Sequence, residues 1–211
     1  LIFCKSILME KKKSHMKAES DINENKVNLI LDLRKNGIDS PEILRIIEEI
    51  DRSYFVDSHL YDKSNLNTAL PIDCGQTISQ PLIVALMTQH LEVKNNMRVL
   101  EVGTGSGYQT LVLSKIAKFV YTIERYKTLH QKAKELLKII KAKNIFFRHG
   151  DGGLGWVEQA PFDRIIVTAC AFEIPNQLVE QLNEGGIMIV PVVKFTKNKY
   201  LKRLKSIRRK F

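Results

Sequence analysis

The sequence has few cysteines and no long uninterrupted hydrophobic run. Its three cysteines, Cys4, Cys74 and Cys170, are widely spaced and form no CxxC pair. An odd number of such cysteines argues against a disulfide framework and against a zinc site. No apolar stretch approaches the roughly 18 residues that a membrane span requires. We therefore expect reduced thiols, no bound metal and no membrane association.

The N-terminal segment also lacks the order of a secretory signal. Its short apolar run is interrupted by Lys5 and is followed, not preceded, by a lysine cluster. A signal peptide has its basic residues first, so we expect a cytoplasmic protein. Residues 1–20 are polar and lysine-rich, with Met9 and Met16 as candidate start residues. We expect them to be a disordered extension outside the fold.

Acidic residues are absent from the last 18 residues, which hold nine lysines and arginines. The net charge of +10 therefore comes almost entirely from residues 194–211, and the remainder of the chain is nearly neutral. A basic chain end can bind nucleic acid, but it is at least as often a solvated strand or end. We expect nucleic-acid binding to be absent, and residues 194–211 to be a basic tail that holds at most a shortened strand.

The rest of the sequence has the composition of one globular domain. A hydrophobic fraction of 44% and a charged fraction of 27% are typical of a folded chain. Strand-like and helix-like segments alternate after residue 80, which predicts parallel strands joined by helices. We predict an α/β fold with a doubly wound, mostly parallel sheet over residues 21–193. The predicted strands are 97–102, 119–124, 144–149, 163–169 and 185–193.

Helical signals precede these strands. Ser40 is a typical N-cap, and Pro41 suits the first turn of a helix that we predict to end at Ile50. Another helix is predicted from Asn23 to Asn36, before Gly37, where Val27, Ile30, Leu31 and Leu33 recur near a helical period. A third is predicted from Pro81 to Leu91, directly after a turn-rich loop over residues 71–80. The first two helices form a small N-terminal helical part. Further helices are predicted after the glycine turn to about 117, over 126–141, and over 175–182.

A glycine-rich turn follows the first predicted strand. Glycines allow the backbone to turn tightly and to approach a ligand closely. Their spacing is GxGxG, which is neither the GxGxxG of dinucleotide-binding proteins nor a P-loop with its lysine. This difference favours a nucleoside cofactor. The candidate cofactor-binding residues of this turn are Glu101, Gly103, Thr104, Gly105 and Gly107.

Two acidic residues follow the next two strands. Glu124 lies 21 positions after Gly103, where an acid can accept hydrogen bonds from both hydroxyls of an adenosine ribose. Asp151, followed by Gly152, comes after the third strand and could meet the adenine amino group. Ligands of doubly wound sheets bind at the carboxyl ends of the strands. We therefore expect these residues to share one cleft with the glycine turn.

These three elements resemble class I S-adenosylmethionine methyltransferases. The segment LPIDCGQTISQP (70–81) is similar to the signature loop of protein-L-isoaspartate O-methyltransferases. Five further segments also resemble that family, in order and with compatible spacing. They are LEVGTGSGYQ (100–109), YTIER (121–125), GDGGLGW (150–156), APFDRIIVTA (160–169) and IPNQLVEQLNEGG (174–186).

This resemblance implies methyl transfer from S-adenosylmethionine to the free carboxylate of L-isoaspartyl residues in damaged proteins. It implies that Ser79 is the catalytic residue and that Thr77 and Ile78 lie beside the cofactor. Thr168 and Ala169 would lie on the substrate side. A carboxylate is already ionised at neutral pH and needs no general base. Ser79, which precedes Pro81, could instead cap the helix. The implied partners are isoaspartyl-containing proteins and peptides, bound by a monomer.

The end of the sequence departs from the family pattern, which continues with two further strands after Pro191. Residues 197–207 could supply one strand, and too few residues remain for a second strand and its connection. Two alternatives therefore stay open. One is a cofactor-binding remnant with impaired catalysis, and the other is a class I methyltransferase that acts on RNA or a small molecule.

Overall fold

Helices precede and then alternate with the strands of one large sheet. The computed structural model describes residues 24–169, 173–196 and 199–208. The α-helices in this part of the chain are α1 (24–35), α2 (Pro41–Glu49), α3 (Pro81–Leu91), α4 (Tyr108–Ser114), α5 (Lys127–Ile139) and α6 (Asn176–Glu180). The strands are β1 (Leu70–Pro71), β2 (Thr77–Ile78), β3 (Arg98–Val102), β4 (Phe119–Glu124), β5 (Ile145–His149), β6 (Phe162–Val167), β7 (Leu182–Thr196) and β8 (Lys199–Arg208).

The sheet has the strand order β5-β4-β3-β6-β7-β8. The first five strands in this order pair in parallel, and only β8 is antiparallel to its neighbour. The order reverses on either side of β3, which is the arrangement of a doubly wound sheet. The predicted fold class is therefore confirmed. The five predicted strands are present, β4 with the predicted ends and the other four with shifted ends.

Opposite faces of the sheet pack against different helices. Val99 of β3 packs with Met87 and Leu91 of α3. The adjacent Leu100 lies on the other face, in the cluster that contains Leu178 of α6. This alternation follows from the two-residue period of a strand. Both faces are buried, which explains the nearly continuous apolar sequence of β3, β4 and β6.

The N-terminal helices begin where the sequence indicates. The Ser40 hydroxyl accepts a hydrogen bond from the Ile43 amide at 3.4 Å, so Ser40 is the N-cap of α2.

The buried face of α1 differs from the one that the predicted period indicates. Leu29 and Leu33 are buried, whereas Val27 and Leu31 are 57% and 48% exposed. Helix α1 therefore carries more apolar residues than the core covers.

The segment predicted as a loop over 71–80 contains a short hairpin. Leu70 pairs with Ile78 and Pro71 with Thr77. A 3₁₀ turn at Asp73–Gly75 joins the two strands. We call residues 70–78 the signature hairpin. At its tip, Lys132 of α5 donates a hydrogen bond to Asp73 at 2.5 Å.

The strand expected within 197–207 is confirmed as β8. Its backbone pairs with β7 from Ile187↔Arg208 to Thr196↔Lys199. Within the part of the chain that the structure describes, β8 forms one edge of the sheet, and the family's second further strand has no counterpart. No helix in this part is long and apolar enough to span a membrane. Cys4, Cys170 and the predicted extension over residues 1–20 lie outside the described residues.

The single tryptophan of the sequence, Trp156, lies in the segment after β5 and packs against the sheet. The Trp156 ring contacts Tyr121 edge to face, with 5.7 Å between ring centroids. The guanidinium of Arg148 lies 5.5 Å from the same ring. The Trp156 amide donates a hydrogen bond to the Gln181 side chain at 2.7 Å. These contacts hold the indole against β4 and β5.

Candidate functional site

A cleft of about 780 Å³ opens at the carboxyl ends of β3, β4 and β6. This volume is typical of a small-molecule site. Eleven of the thirteen predicted site residues line the cleft, whereas Glu101 and Gly107 do not. The eleven are Thr77, Ile78, Ser79, Gly103, Thr104, Gly105, Glu124, Asp151, Gly152, Thr168 and Ala169.

The glycine turn is held between the ends of two neighbouring strands. The Gly103 amide donates to the Ile123 carbonyl at 2.8 Å, which ties the turn to β4. Gly103 has a φ of +99°, and a Cβ at this position would lie 2.5 Å from Thr168 Oγ1. The Thr168 hydroxyl in turn donates to the Gly103 carbonyl at 2.6 Å. Only glycine fits here, because a side chain meets both backbone strain and a steric clash.

Glu124 links the ends of β4 and β3. It is 5% exposed, and its carboxylate accepts hydrogen bonds from the Gly105 amide at 2.8 Å and the Tyr126 amide at 2.9 Å. An ionised carboxylate has about four acceptor positions. Each oxygen therefore keeps capacity for a further donor from a ligand in the cleft.

The Asp151 segment closes another side of the cleft. Asp151 is exposed, and its Oδ1 accepts the Gly153 amide at 2.8 Å. A Cβ on Gly152 would lie 2.4 Å from Cγ1 of Val102, so the backbone of this turn approaches β3 closely. The absence of a side chain at Gly152 allows the acidic turn to lie against the end of the sheet.

Glu101 lies behind the glycine turn rather than in the cleft. It is fully buried, on the same face of β3 as Val99, and its Oε2 accepts hydrogen bonds from Thr110 at 2.5 Å and Thr122 at 2.7 Å. Its Oε1 has no hydrogen-bond partner among the described residues. Burial raises the pKa of Glu101 to about 7, and the nearby charge of Glu124 acts in the same direction. The motif acid therefore supports the turn from inside the protein.

Gly107 serves the packing of helices. It precedes α4 with a φ of +90°, and a Cβ would lie 3.1 Å from Leu137 Cδ1 and 3.3 Å from Ala133 Cβ. Both neighbours belong to α5. This glycine allows α4 to begin close to α5.

Ser79 follows the signature hairpin and faces the cleft. The alternative role as a helix cap is wrong, because the N-cap of α3 is Gln80 and the first-turn amide of Leu82 donates to the Asn67 side chain at 3.0 Å. The Ser79 hydroxyl has no hydrogen-bond partner within residues 24–169, 173–196 and 199–208. It is half-buried, so it can donate to a ligand in the cleft.

Other cleft residues were not predicted from the sequence. Arg125 and Tyr126 line the cleft directly after Glu124, and their position after a strand end is a signal that could have identified them. Ile83 and Val84 of α3 and Tyr108 of α4 supply apolar surface. Their helical spacing resembles that of core residues, so no local pattern distinguishes them.

The histidines of the described residues lie outside this cleft. The rings of His130 and His149 are 5.8 Å apart, in a surface depression beside α5. Burial lowers the pKa of His130, and His149 lies 3.1 Å from the Arg125 carbonyl. These contacts give both histidines a place in the protein surface that is separate from the cleft. In the described ranges no three His, Cys, Asp or Glu residues form a potential metal site.

Comparison with known proteins identifies the family. The family model for protein-L-isoaspartate(D-aspartate) O-methyltransferase matches residues 23–210. A protein-L-isoaspartate O-methyltransferase of Parvibaculum lavamentivorans is 51% identical over 180 residues, which are 84% of this chain and 81% of the relative. The enzyme of that name from Rhodospirillum rubrum is 51% identical over 170 residues, which are 80% of this chain and 78% of the relative.

Two solved structures share the fold over 88% of this chain. One, named protein-L-isoaspartate O-methyltransferase, has a TM-score of 0.77 and 30% identity, and this chain covers 60% of its length. The other is a Plasmodium falciparum protein with that assignment, in complex with S-adenosyl-L-homocysteine. It has a TM-score of 0.75 and 28% identity, and this chain covers 90% of it. The chain belongs to the protein-L-isoaspartate(D-aspartate) O-methyltransferase family.

Proposed function

We propose that this protein transfers a methyl group from S-adenosylmethionine to the free carboxylate of L-isoaspartyl residues in damaged proteins and peptides. The observation that carries the proposal is the position of the signature hairpin opposite the glycine turn. Ser79 and Gly103 line the same cleft, although 24 positions separate them in the sequence. Family membership and the S-adenosyl-L-homocysteine bound to the Plasmodium falciparum relative support the same function.

The cleft fits a nucleoside cofactor. Gly103 and Gly105 both line it, and the backbone beside Gly105 is open, with only Ile72 Cδ1 within 4 Å of an added Cβ. Glu124 would accept hydrogen bonds from the ribose hydroxyls with its remaining lone pairs. Asp151 would accept from the adenine amino group, and Thr77 and Ile78 would contact the cofactor from the hairpin. Glu101 and Gly107 would act indirectly, by fixing the turn and the start of α4.

The carboxylate of the substrate is itself the nucleophile. With a pKa of about 3.5 it is ionised at neutral pH, so no residue has to remove a proton. This agrees with the cleft lining, which contains no histidine, lysine or cysteine among the described residues. Bound S-adenosylmethionine supplies an electrophilic methyl group on a positively charged sulfur. The protein has to align the two reactants and displace water from the carboxylate.

Ser79 is the catalytic residue in this proposal. Its hydroxyl donates a hydrogen bond to one carboxylate oxygen, which orients the other oxygen for attack. Thr168 and Ala169, which follow β6, lie on the substrate side. The Thr168 hydroxyl is already engaged with the carbonyls of Val102 and Gly103, so its side chain would orient the backbone and not donate to the substrate.

We also propose that the protein acts as a monomer in the cytoplasm. The sparse cysteines agree with a reducing compartment.

A direct test compares methylation of an isoaspartyl peptide with that of its normal aspartyl twin. We expect base-labile methyl esters on the isoaspartyl peptide only. Loss of the Ser79 hydrogen bond to a charged oxygen should cost about 1.5 to 3 kcal/mol. Ser79→Ala should therefore lower kcat/KM about 10- to 150-fold with little change in the affinity for S-adenosyl-L-homocysteine.

Ser58→Ala is the matched control, because Ser58 is exposed and lies outside the cleft. Equal turnover of both peptides would contradict the substrate assignment. Methylation of RNA with no peptide activity would favour a different methyltransferase. Unchanged turnover in Ser79→Ala would remove Ser79 from the mechanism.

A further inference from the structure

A buried arginine lies beneath the signature hairpin. Arg52 begins a short 3₁₀ helix (Arg52–Phe55) after α2 and is 2% exposed. Its guanidinium donates three hydrogen bonds to backbone carbonyls. Nη1 donates to Ser64 at 2.8 Å, and Nη2 donates to Thr68 at 2.9 Å and to Ser79 at 3.0 Å. One side chain thus joins three separate places in the chain.

Two of these carbonyls flank the hairpin. Thr68 precedes β1, and Ser79 directly follows β2. A single nitrogen of Arg52 therefore closes the base of the hairpin that forms one wall of the cleft. The tip is held by the Lys132–Asp73 ion pair, which is largely exposed and contributes little to stability. The buried contact at the base is the stronger constraint on the position of Ser79.

The charge of Arg52 also points to more than packing. Arg52 forms no ion pair with a carboxylate in the ranges that the structure covers, and its Nε has no hydrogen-bond partner there. Burial lowers the pKa of Arg52 to about 10, so the group stays charged at neutral pH. Its guanidinium lies 5.8 Å from the Tyr108 ring, and that ring lines the cleft. An unpaired buried cation is costly, and a purely structural link between backbone carbonyls could use neutral donors.

We propose that Arg52 is a positioning residue for methyl transfer, which fixes the Ser79 hydroxyl by holding the base of the signature hairpin. This inference rests on the proposed function. The planar guanidinium offers five donors in a fixed fork. Neither lysine nor glutamine can reach three carbonyls with the same geometry. The role is thus specific to arginine. Loss of these three hydrogen bonds, which we call the Arg52 clamp, should displace Ser79 without preventing cofactor binding.

A double-mutant cycle with Arg52→Gln and Ser79→Ala tests this role. Small misplacements of catalytic groups can cost about 10²-fold in rate, and we expect Arg52→Gln to lower kcat/KM for the isoaspartyl peptide by about 10- to 100-fold. The Kd for S-adenosyl-L-homocysteine should change by less than about threefold, since independent sites interact weakly. In the Ser79→Ala background the same Arg52 change should cost less than about threefold. Arg52→Lys should recover only part of the lost turnover.

Arg45→Gln is the matched control, because Arg45 lies on the surface of α2 and pairs with Glu49 on the same helix. Additive losses in the cycle would overturn the proposal, as would full rescue by lysine.

Hydrogen exchange of the wild-type protein provides a test that needs no variant. The hairpin amides, including that of Ile72, which donates to Gln76 at 2.9 Å, should be protected as strongly as those of β3. Unprotected hairpin amides would also refute the clamp. Absence of isoaspartyl methylation in the wild type would instead reject the proposed function.

Discussion

Replacement of Glu101 by glutamine should change the pH dependence of stability. The Glu101 carboxyl group is fully buried, and its pKa is raised from 4.5 to about 7, mainly by desolvation. Glutamine has nearly the same shape and no ionisable group. Its side-chain oxygen can accept the hydrogen bonds from Thr110 and Thr122. The substitution therefore removes the titration while the local contacts are largely kept.

The raised pKa fixes the sign of the effect. The folded protein holds the Glu101 proton more tightly than the unfolded chain does, so this group favours folding most at low pH. That advantage is lost as the pH rises from about 4.5 to about 7. At 1.36 kcal/mol per pKa unit, the wild type should lose about 2 to 3 kcal/mol relative to Glu101→Gln between pH 5 and pH 8.

Urea denaturation of both proteins at several pH values from 5 to 8 measures this difference. The pH dependence is compared rather than the absolute stability, because the amide nitrogen of glutamine adds a pH-independent cost of about 1 to 3 kcal/mol if it stays unpaired. Glu135→Gln is the control, since Glu135 is exposed on α5. A difference between wild type and Glu101→Gln that stays constant within about 0.5 kcal/mol over this range would refute the reasoning.

Three further predictions concern the cofactor cleft and the sheet edge. Glu124→Ala should weaken binding of S-adenosyl-L-homocysteine by about 1 to 3 kcal/mol in calorimetric titration; unchanged affinity would exclude Glu124 from the ribose site. Gly103→Ala should lower the unfolding free energy by more than the roughly 1 kcal/mol expected for Gly37→Ala, because both positions have positive φ but only Gly103 has a neighbour within 4 Å of an added Cβ; equal losses in denaturant titrations would contradict the steric argument. The amides of β8, at the edge of the described sheet, should exchange hydrogen faster than those of β3, which has a strand on each side; mass spectrometry that finds equal rates would show a firmly held edge.

Local sequence signals predicted most of the fold. Ser40 and Pro41 define the start of α2 because an N-cap and a first-turn proline act on the nearest backbone. The strands β3 and β6 are recognisable because burial of both faces makes them continuously apolar. The exact face of α1 was not predictable, since its apolar residues surround more of the helix than the core covers. The signature hairpin was not predicted, because β1 and β2 have only two residues each and such short strands show no alternating pattern.

The site was predictable where it depends on the ends of strands. Gly103 follows β3, Glu124 ends β4 and Thr168 follows β6. The parallel topology brings the carboxyl ends of these strands together. The location of Glu101 was not evident, because its partners Thr110 and Thr122 come from another helix and another strand. Arg52 was also overlooked. Its acceptors are carbonyl groups, which every residue possesses, so no side-chain pattern marks them.

The position of Trp156 has a practical consequence. Because the sequence contains one tryptophan, its fluorescence arises from one known environment, against Tyr121 and below Arg148. Emission from this one indole can therefore report unfolding of the sheet without any added label.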